Sequence, residues 1–557
     1  MRGLPLLFLC VVACASQNKF TRPEELEEIA KSPVPETASR KIASVAEWEL
    51  AGALPERVEH APLADASAPF TQLVLANAGG RFQLSEDLTC ISAQRARFTL
   101  AHDGASPGVL LRTFIQARCG SPSVHVQTWD LYGDVPDDVS DAELAKQWGK
   151  SVVDALPSVP AGAHAGVAVH REKGKARFVL SWAIDDVRLE PISIYPDGDV
   201  VRVRGQMMKP TETVWARINQ GEGDSVECVK NPTVKLPYFE LACPVRAGSH
   251  HDWVGIWARE PGRFLGYPVL TTLVWSSRAP DKKFVRPSVG VARDGSVEAF
   301  LEALNQQRAR LGLQPMMLSA AQTEQARSLV APYVAAQFTH DAERLDRIAM
   351  GLIAGWRVEG AVTQGHFTSA EVATEGAAEL LAALLELPGG RQDLLSKDAR
   401  VLALGQVDRG GLVDALICTY SLLDEPSPSV ARQQQLFDKL NAERARRGLA
   451  PAQWVQLPTK TSELVAAEVR DTKLSPTEGV ERLMADAVQI IRKPVRGWQF
   501  YSSSLDDVEW PEELLQRPNL QVMLTIAPYK RQDTPWTQYV FMVVLFEGAS
   551  TASTTQA

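Results

Sequence analysis

The sequence predicts a multidomain α+β protein: an α+β N-terminal module, an immunoglobulin-like β-sandwich, and then two copies of one further α+β domain. The chain has 557 residues, which is enough for three or four domains of ordinary size. Short runs of alternating apolar and polar residues recur between 187 and 280, a pattern typical of a β-sandwich. A helical motif at 300–315 is repeated at 436–451, which indicates an internal duplication.

The composition excludes several functional classes. Lys and Arg number 58 against 67 Asp and Glu, so the net charge of -9 makes nucleic acid an unexpected partner. Hydrophobic residues make up 45% of the chain, as in ordinary packed proteins. The sequence contains no GxSxG, Walker A, HExxH, CxxC or GxGxxG motif, and we predict no cofactor.

The first residues have the pattern of an export signal. Arg2 precedes an apolar run, Leu4–Ala13, that is too short to span a bilayer. The four residues that end at Cys14 resemble the bacterial lipobox, which implies that 1–13 is a lipoprotein signal peptide and that Cys14 becomes lipidated. Ala15 in the next position implies sorting to the outer membrane. The alternative is an ordinary cleaved signal with an incidental cysteine.

The next two segments differ in polarity. Residues 14–67 are rich in Glu, Pro, Ala and Ser, and this composition predicts an acidic, Pro-rich linker between the membrane and the body. Residues 68–186 predict an α+β module. Within it, Ser140 and Glu143 form a capping box for a helix, and the module ends in a hairpin that turns at Lys173.

The predicted sandwich, 187–280, contains two adjacent histidines. His250 and His251 precede a strand, where neighbouring side chains point to opposite faces. We therefore interpret them as a solvated turn and not as a pair of metal ligands.

The cysteines predict two disulfides, because an exported protein can oxidise them. Cys90 and Cys119 lie close together in the N-terminal module, and Cys228 and Cys243 lie one hairpin apart in the sandwich. We predict that each couple pairs internally. Cys418 lies in an apolar strand with no activating residue near it in sequence, and we interpret it as a buried thiol.

The repeated motif delimits the second half of the chain. Each copy begins with the helical motif and ends in an apolar hairpin, so we predict one domain at 288–424 and a second at 430–548. Residues 549–557 are small and polar, and we predict a disordered tail.

The motif resembles the first helix of the CAP superfamily (cysteine-rich secretory proteins, antigen 5 and pathogenesis-related proteins), in its bacterial SCP-type branch. The residues that carry the resemblance are Leu304, Asn305, Arg308, Gly312, Leu313 and Pro315 in the first copy, and Asn441, Arg444, Gly448, Leu449 and Pro451 in the second. The resemblance covers about half of the chain and implies two CAP-like α-β-α sandwich domains. The segment 68–186 could be a third, more decayed copy.

The resemblance also implies a groove with two histidines and two acidic residues, which can bind a divalent metal. At the position of the second histidine this sequence has Gly389 and Gly390, and the second copy contains no histidine. Both copies are therefore expected to be degenerate.

Two histidines of the first copy remain as weak metal-ligand candidates. His366 lies in GHFT, which resembles a signature of eukaryotic members, but Thr368 and Glu371 predict a helix cap there. We interpret the GHFT match as chance. His340 could take the position of the first histidine, with Asp341, Glu343 and Glu359 as nearby acids, or it could lie at a solvated helix terminus.

These observations predict a non-catalytic binding or adhesion protein of the bacterial cell envelope, held at the membrane by its N-terminal lipid. The expected ligand is an envelope glycan, a lipid or a protein. We assign no catalytic residue and no metal ligand. The alternatives are a divalent-metal-dependent, hydrolase-like activity in the first CAP-like domain, and a structural spacer that presents its domains to a partner.

Overall fold

The computed structural model describes residues 20–34, 41–195, 198–246, 251–263, 266–275, 281–288, 295–339, 341–373, 376–409, 412–423, 430–455, 459–492, 494–506, 508–530 and 535–546. The predicted signal peptide at 1–13, the predicted lipidation site Cys14 and the tail at 549–557 lie outside these residues, as do His250 and His340.

The N-terminal segment packs against the body of the protein. Its elements are helix α1 (Pro23–Lys31) and strands β1 (Ile42–Ala43), β2 (Glu47–Glu49) and β3 (Arg57–Val58). Leu26 and Ile29, one helical turn apart on α1, are buried in a cluster with Leu352. The Trp356 indole donates a hydrogen bond of 2.8 Å to the Thr21 carbonyl.

This packing corrects the expectation that 14–67 is only a spacer. The segment is acidic overall, but the two apolar side chains of α1 form a stripe that needs a partner. The short strands of the segment also pair with distant parts of the chain, β2 among them, where Trp48 lies opposite Phe284.

The first α+β unit follows. Its elements are α2 (Pro69–Ala78), β4 (Gln83–Leu84), α3 (Glu86–Ala101), β5 (Ser106–Pro107), α4 (Val109–Arg118), β6 (Gln127–Asp134), α5 (Asp141–Ala155), a 3-10 turn (Leu156–Ser158), β7 (His164–Glu172) and β8 (Lys175–Ala183). The main sheet has the order β4-β7-β8-β6, with β4 and β7 parallel. The predicted capping box is present, since the Ser140 hydroxyl accepts from the Glu143 amide. The hairpin turns at Lys173, as predicted, with a positive φ of 51°.

Two antiparallel sheets make up the next region. Its strands are β9 (Val187–Leu189), β10 (Ile192–Ser193), β11 (Val200–Met207), β12 (Thr213–Asn219), β13 (Ser225–Glu227), β14 (Val229–Lys230), β15 (Tyr238–Pro244), β16 (Asp252–Arg259) and β17 (Tyr267–Val274), followed by β18 (Lys283–Val285). One sheet has the order β14-β15-β11-β9 and the other β13-β12-β16-β17. Buried side chains of both sheets, among them Val203 and Ile256, belong to one hydrophobic core.

A second α+β unit follows. Its elements are α6 (Val297–Arg310), β19 (Met317–Leu318), α7 (Ala320–Phe338), α8 (Ala342–Ile353), β20 (Val362–Ala373), α9 (Ala377–Glu386), α10 (Pro388–Leu395), β21 (Ala399–Asp408) and β22 (Leu412–Leu422). Its sheet has the order β19-β21-β22-β20, with β19 and β21 parallel.

The predicted helix cap at Thr368 and Glu371 is wrong. Both residues lie in β20, which pairs antiparallel with β22 from Val362 to Ala373, and the next helix begins only at Ala377. Strand pairing over this length outweighs a local side-chain signal, because each paired residue satisfies backbone groups that a short cap cannot.

The third α+β unit ends the described chain. Its elements are α11 (Val430–Arg446), β23 (Gln453–Trp454), α12 (Thr459–Arg470), α13 (Pro476–Ile491), β24 (Val495–Ser502), α14 (Glu512–Gln516), β25 (Gln521–Lys530) and β26 (Thr537–Phe546). Its sheet has the order β23-β25-β26-β24, with β23 and β25 parallel. Thus the main sheets of all three α+β units have one strand order, in which the first and third strands are parallel neighbours.

Both predicted disulfides are present. Cys90 is bonded to Cys119, and Cys228 is bonded to Cys243. Disulfides of this kind indicate an oxidising compartment outside the cytoplasm. Cys418 is a free, buried thiol as predicted, and burial raises its pKa to about 12. Among the helices of the described chain, none combines the length and the apolar character that a membrane span requires.

Candidate functional site

The motif arginine of the first copy has a structural role. Arg308 on α6 is fully buried, and burial lowers the pKa of its guanidinium to about 10. The group therefore stays charged at neutral pH. It donates hydrogen bonds of 2.7 to 3.1 Å to four main-chain carbonyls, those of Gln314, Leu394, Ser396 and Ala399. It therefore joins α6 to the start of β21.

The motif arginine of the second copy repeats this arrangement. Arg444 on α11 is also fully buried and donates to the carbonyls of Ala450, Leu514, Arg517 and Pro518. The motif asparagines act in the same way: the Met316 amide donates to Asn305 and the Ala452 amide donates to Asn441, each over 2.7 Å. These four motif residues hold loops in place, and they offer no free group to a ligand.

The position expected for the second family histidine is closed. Gly390 lies on α10, and a Cβ there would come within 2.4 Å of the Leu384 carbonyl oxygen. No side chain larger than a hydrogen fits without moving this backbone. Arg391, the next residue, donates a 2.7 Å hydrogen bond to the carbonyl of Leu385 near the end of α9.

His366 faces one carboxylate. Its Nδ1 atom lies 3.6 Å from Asp393 Oδ1, and Thr368 donates a hydrogen bond to the other carboxylate oxygen. Burial raises the pKa of Asp393 above its usual value, although the nearby His366 charge opposes the shift. The GHFT segment thus lies in a strand, β20, and faces a buried acid, which the sequence analysis did not anticipate.

Asp393→Asn is expected to stabilise the protein against unfolding at pH 8 more than at pH 4. An acid whose pKa is raised on folding binds its proton more tightly in the folded state, so stability falls as pH rises from the unfolded pKa, about 3.9, through the raised folded value. Asparagine keeps the acceptor for Thr368 but does not ionise. Urea unfolding of both proteins at the two pH values measures the difference, and a pH-independent difference would contradict the raised pKa.

The other predicted candidates do not form a site within the described residues. Asp341, next to His340, caps α8 by accepting from the Arg344 amide over 3.0 Å, and Glu343 and Glu359 are exposed. His251 precedes β16 and lies 3.5 Å from Glu386, with 35% of its side chain exposed.

A cluster that the sequence did not predict lies where the N-terminal segment meets the first α+β unit. Among the described residues, one set of three metal-ligating side chains comes together: His60, His164 and Asp185, whose ligand atoms all lie within 4.8 Å of one another. His60 follows β3, His164 is the first residue of β7, and Asp185 follows β8. They are 104 and 21 residues apart along the chain (164 − 60 and 185 − 164), so no local motif joins them.

Asp185 contacts both histidines. Its Oδ1 atom lies 2.9 Å from His60 Nε2, and its Oδ2 atom lies 3.5 Å from His164 Nε2. The two imidazole rings stack with centroids 4.1 Å apart. Ser123 donates a 2.7 Å hydrogen bond to Asp185 Oδ1, and Asp87 Oδ2 lies 2.9 Å from the second nitrogen of His60.

Burial and charge set the protonation of these groups. Burial alone would lower the pKa of His60, but the carboxylates of Asp185 and Asp87 outweigh it and raise that pKa to about 9. Burial, with the charge of His60, lowers the pKa of His164. Burial opposes ionisation of Asp185, yet its contacts with His60 and Ser123 lower its pKa.

The cluster does not suit nucleophilic catalysis. Ser123, His60 and Asp87 are arranged as a hydroxyl, an imidazole and a carboxylate, with 3.2 Å between Ser123 Oγ and His60 Nε2. However, a histidine that is protonated at neutral pH cannot accept the serine proton, and the Ser123 hydroxyl already donates to Asp185. The set can instead hold a cation, or serve as an ion-pair network between segments.

Comparisons with known proteins identify a partial likeness in fold. No protein-family model matches the chain, and no curated protein matches it. A crystal structure of a cysteine-rich secretory protein from Staphylococcus aureus subsp. aureus Mu50 is similar at 12% identity, covering 42% of this chain and 86% of that chain, with a TM-score of 0.17. The crystal structure of Na-ASP-1 is similar at 9% identity, covering 54% and 76%, with a TM-score of 0.15. The likeness covers part of the chain, and at these TM-scores it carries no argument about function.

Proposed function

We propose that this chain is a non-catalytic binding protein of the bacterial cell envelope, anchored in the outer membrane by a lipid on Cys14. The lipobox-like sequence supports the anchor, and the two disulfides support a place outside the cytoplasm. The strand order common to the three main sheets supports three copies of one CAP-like unit, at 68–186, 288–424 and 430–548. The two antiparallel sheets between the first and second of these units support an immunoglobulin-like sandwich at 187–280.

One observation carries the binding role: an open groove of about 300 Å³ lies between α4 of the first α+β unit and α7, β20 and β22 of the second. Its floor includes Val334, Ala415 and Leu416. Phe338 lies at its edge with 48% of its surface exposed, and Tyr333 lies beside it. A groove that combines an apolar floor with an exposed aromatic ring is a common form of ligand site.

The polar groups of the groove favour a glycan over a lipid. Gln337, Ser369 and Glu371 line the groove beside the aromatic rings, so hydroxyl groups of a sugar would find amide, hydroxyl and carboxylate partners. Arg409 lies 4.0 Å from Glu371 and 2.5 Å from Asp414, which balances the acidic charge there. An acyl chain would instead exclude water from these polar groups and offer them no hydrogen bond in return, at a cost in affinity.

Phe338→Ala is therefore expected to weaken binding of the mature protein to purified peptidoglycan sacculi about tenfold, because the variant loses the exposed ring on which a sugar face stacks. Co-sedimentation over a range of sacculus concentrations measures the affinity. Leu464→Ala is the matched control: Leu464 is 54% exposed and lies on α12, the first long helix after β23, as α7 is after β19.

Two results would contradict the proposal. If the wild-type protein does not sediment with sacculi, a glycan ligand is wrong. If Phe338→Ala and Leu464→Ala bind equally well, the groove is not the site.

A further inference from the structure

We propose that His60, His164 and Asp185 form a binding site for a divalent transition-metal ion, with zinc the best match. The donor set is two imidazole nitrogens and a carboxylate, which are common zinc ligands. This inference does not depend on the groove or on any glycan.

The distances fit a metal centre after small movements. Ligands at about 2.0–2.2 Å in tetrahedral geometry lie roughly 3.4 Å apart. Asp185 already lies 2.9 Å from His60 Nε2 and 3.5 Å from His164 Nε2. The His164 side chain is 27% exposed, so its ring has room to turn from the stacked position.

The surrounding groups are those that orient metal ligands. Asp87 is almost fully buried and lies 2.9 Å from His60 Nδ1, which leaves Nε2 of the same ring to face Asp185. Ser123 holds Asp185 by a 2.7 Å hydrogen bond. A carboxylate behind a histidine ligand fixes the ring and strengthens its donor nitrogen. Asp87 is thus a positioning residue.

Charge also favours a dication. A metal ion takes the place of the proton on His60, so both histidines are neutral in the bound state. Asp87 and Asp185 then carry two negative charges in a mostly buried site, and a doubly charged ion balances them. The Asp87 Oδ1 atom has no hydrogen-bond partner among the residues that the structure describes, so the ion pair with a protonated His60 leaves this acid incompletely satisfied.

Of the three α+β units, only the first carries such a site among the described residues, and it does so together with His60 of the N-terminal segment. In β7, His164 pairs with the first residue of β4, Gln83. In the other two units, the residue that pairs with the first residue of the first strand is Val401 in the second unit and Gln521 in the third. The cluster therefore does not coincide with the family groove, whose second histidine position is at Gly389 and Gly390.

The test is zinc binding by the full mature protein, measured by isothermal titration calorimetry and by metal analysis after dialysis. The wild-type protein is expected to bind one equivalent. His164→Ala is expected to weaken binding at least a hundredfold, and Asp87→Asn tenfold to a hundredfold. His170→Ala is the matched control, since His170 is a half-buried histidine of the same strand, β7, and its replacement is expected to leave zinc affinity unchanged.

Circular dichroism of each variant shows whether it is folded. Co²⁺ as a second probe distinguishes a specific site from surface binding, because tetrahedral nitrogen and oxygen ligation gives visible absorption bands, and His164→Ala should remove them. Failure of the wild-type protein to bind either metal would overturn the proposal, and so would binding by His164→Ala with wild-type affinity. In both cases the cluster would be an ion-pair network only.

Discussion

Replacing Arg308 by alanine is expected to lower the free energy of unfolding of the second α+β unit by about 4 kcal/mol. The change removes the donor to four main-chain carbonyls around α6 and β21, and each buried acceptor left without a partner costs about 1–3 kcal/mol, partly offset by relaxation. Urea unfolding measures the overall loss in the free energy of unfolding. Hydrogen exchange of the amides in α6 and β21 locates it within the unit.

Two variants serve as controls for Arg308. Arg310→Ala removes an exposed arginine from the same helix and is expected to change stability by less than about 0.5 kcal/mol. Arg308→Lys keeps the charge but cannot direct three nitrogens at separate carbonyls, so an intermediate loss is expected. Arg444→Ala should reproduce the effect in the third unit. A loss below about 1 kcal/mol for Arg308→Ala would contradict the structural role.

Replacing Cys90 and Cys119 together by alanine is expected to lower stability by about 3.5 kcal/mol. The bond closes a loop between residues 29 apart in sequence. In the chain-entropy model, opening such a loop raises the conformational entropy of the unfolded chain and so stabilises the unfolded state by this amount. The disulfide joins α3 to the end of α4, so the amides of these two helices should lose the most protection against hydrogen exchange. Thermal unfolding and hydrogen exchange measure the two effects.

Cys90→Ala alone is the natural comparison, because it breaks the same bond but keeps the second buried sulfur. It is expected to lose as much stability as the double variant, within about 1 kcal/mol. Adding a reductant to the double variant should then affect only the bond between Cys228 and Cys243. If the double variant were as stable as the wild type, the bond would not constrain the unfolded chain.

Local signals in the sequence predicted local structure well. The capping box at Ser140 and the hairpin turn at Lys173 are both present, because they depend on residues within a few positions of each other. Both disulfide couples are also present, each within one unit. The same kind of local signal failed at Thr368, where the whole of β20 pairs with β22 and tertiary pairing overrides the cap.

The role of the motif residues could be predicted only in part. The repeat identified Asn305 and Arg308 as equivalent to Asn441 and Arg444, and the structure shows equivalent contacts in both copies. Nothing in the motif itself shows that three of the four carbonyl partners of each arginine lie 70 or more residues later in the chain.

The sequence by itself determined the composition of the units, their repeated motif and the cysteine couples, since each depends on residue type and short spacing. The tertiary structure decided how the N-terminal segment packs and where the metal-ligating side chains come together. Burial of Leu26 and Ile29 ties α1 to α7 and α8. The parallel pairing of β4 with β7 and the return of β8 bring His164 and Asp185 to one end of a sheet, where His60 meets them. Such contacts join residues that are far apart in the chain, so only the folded chain specifies them.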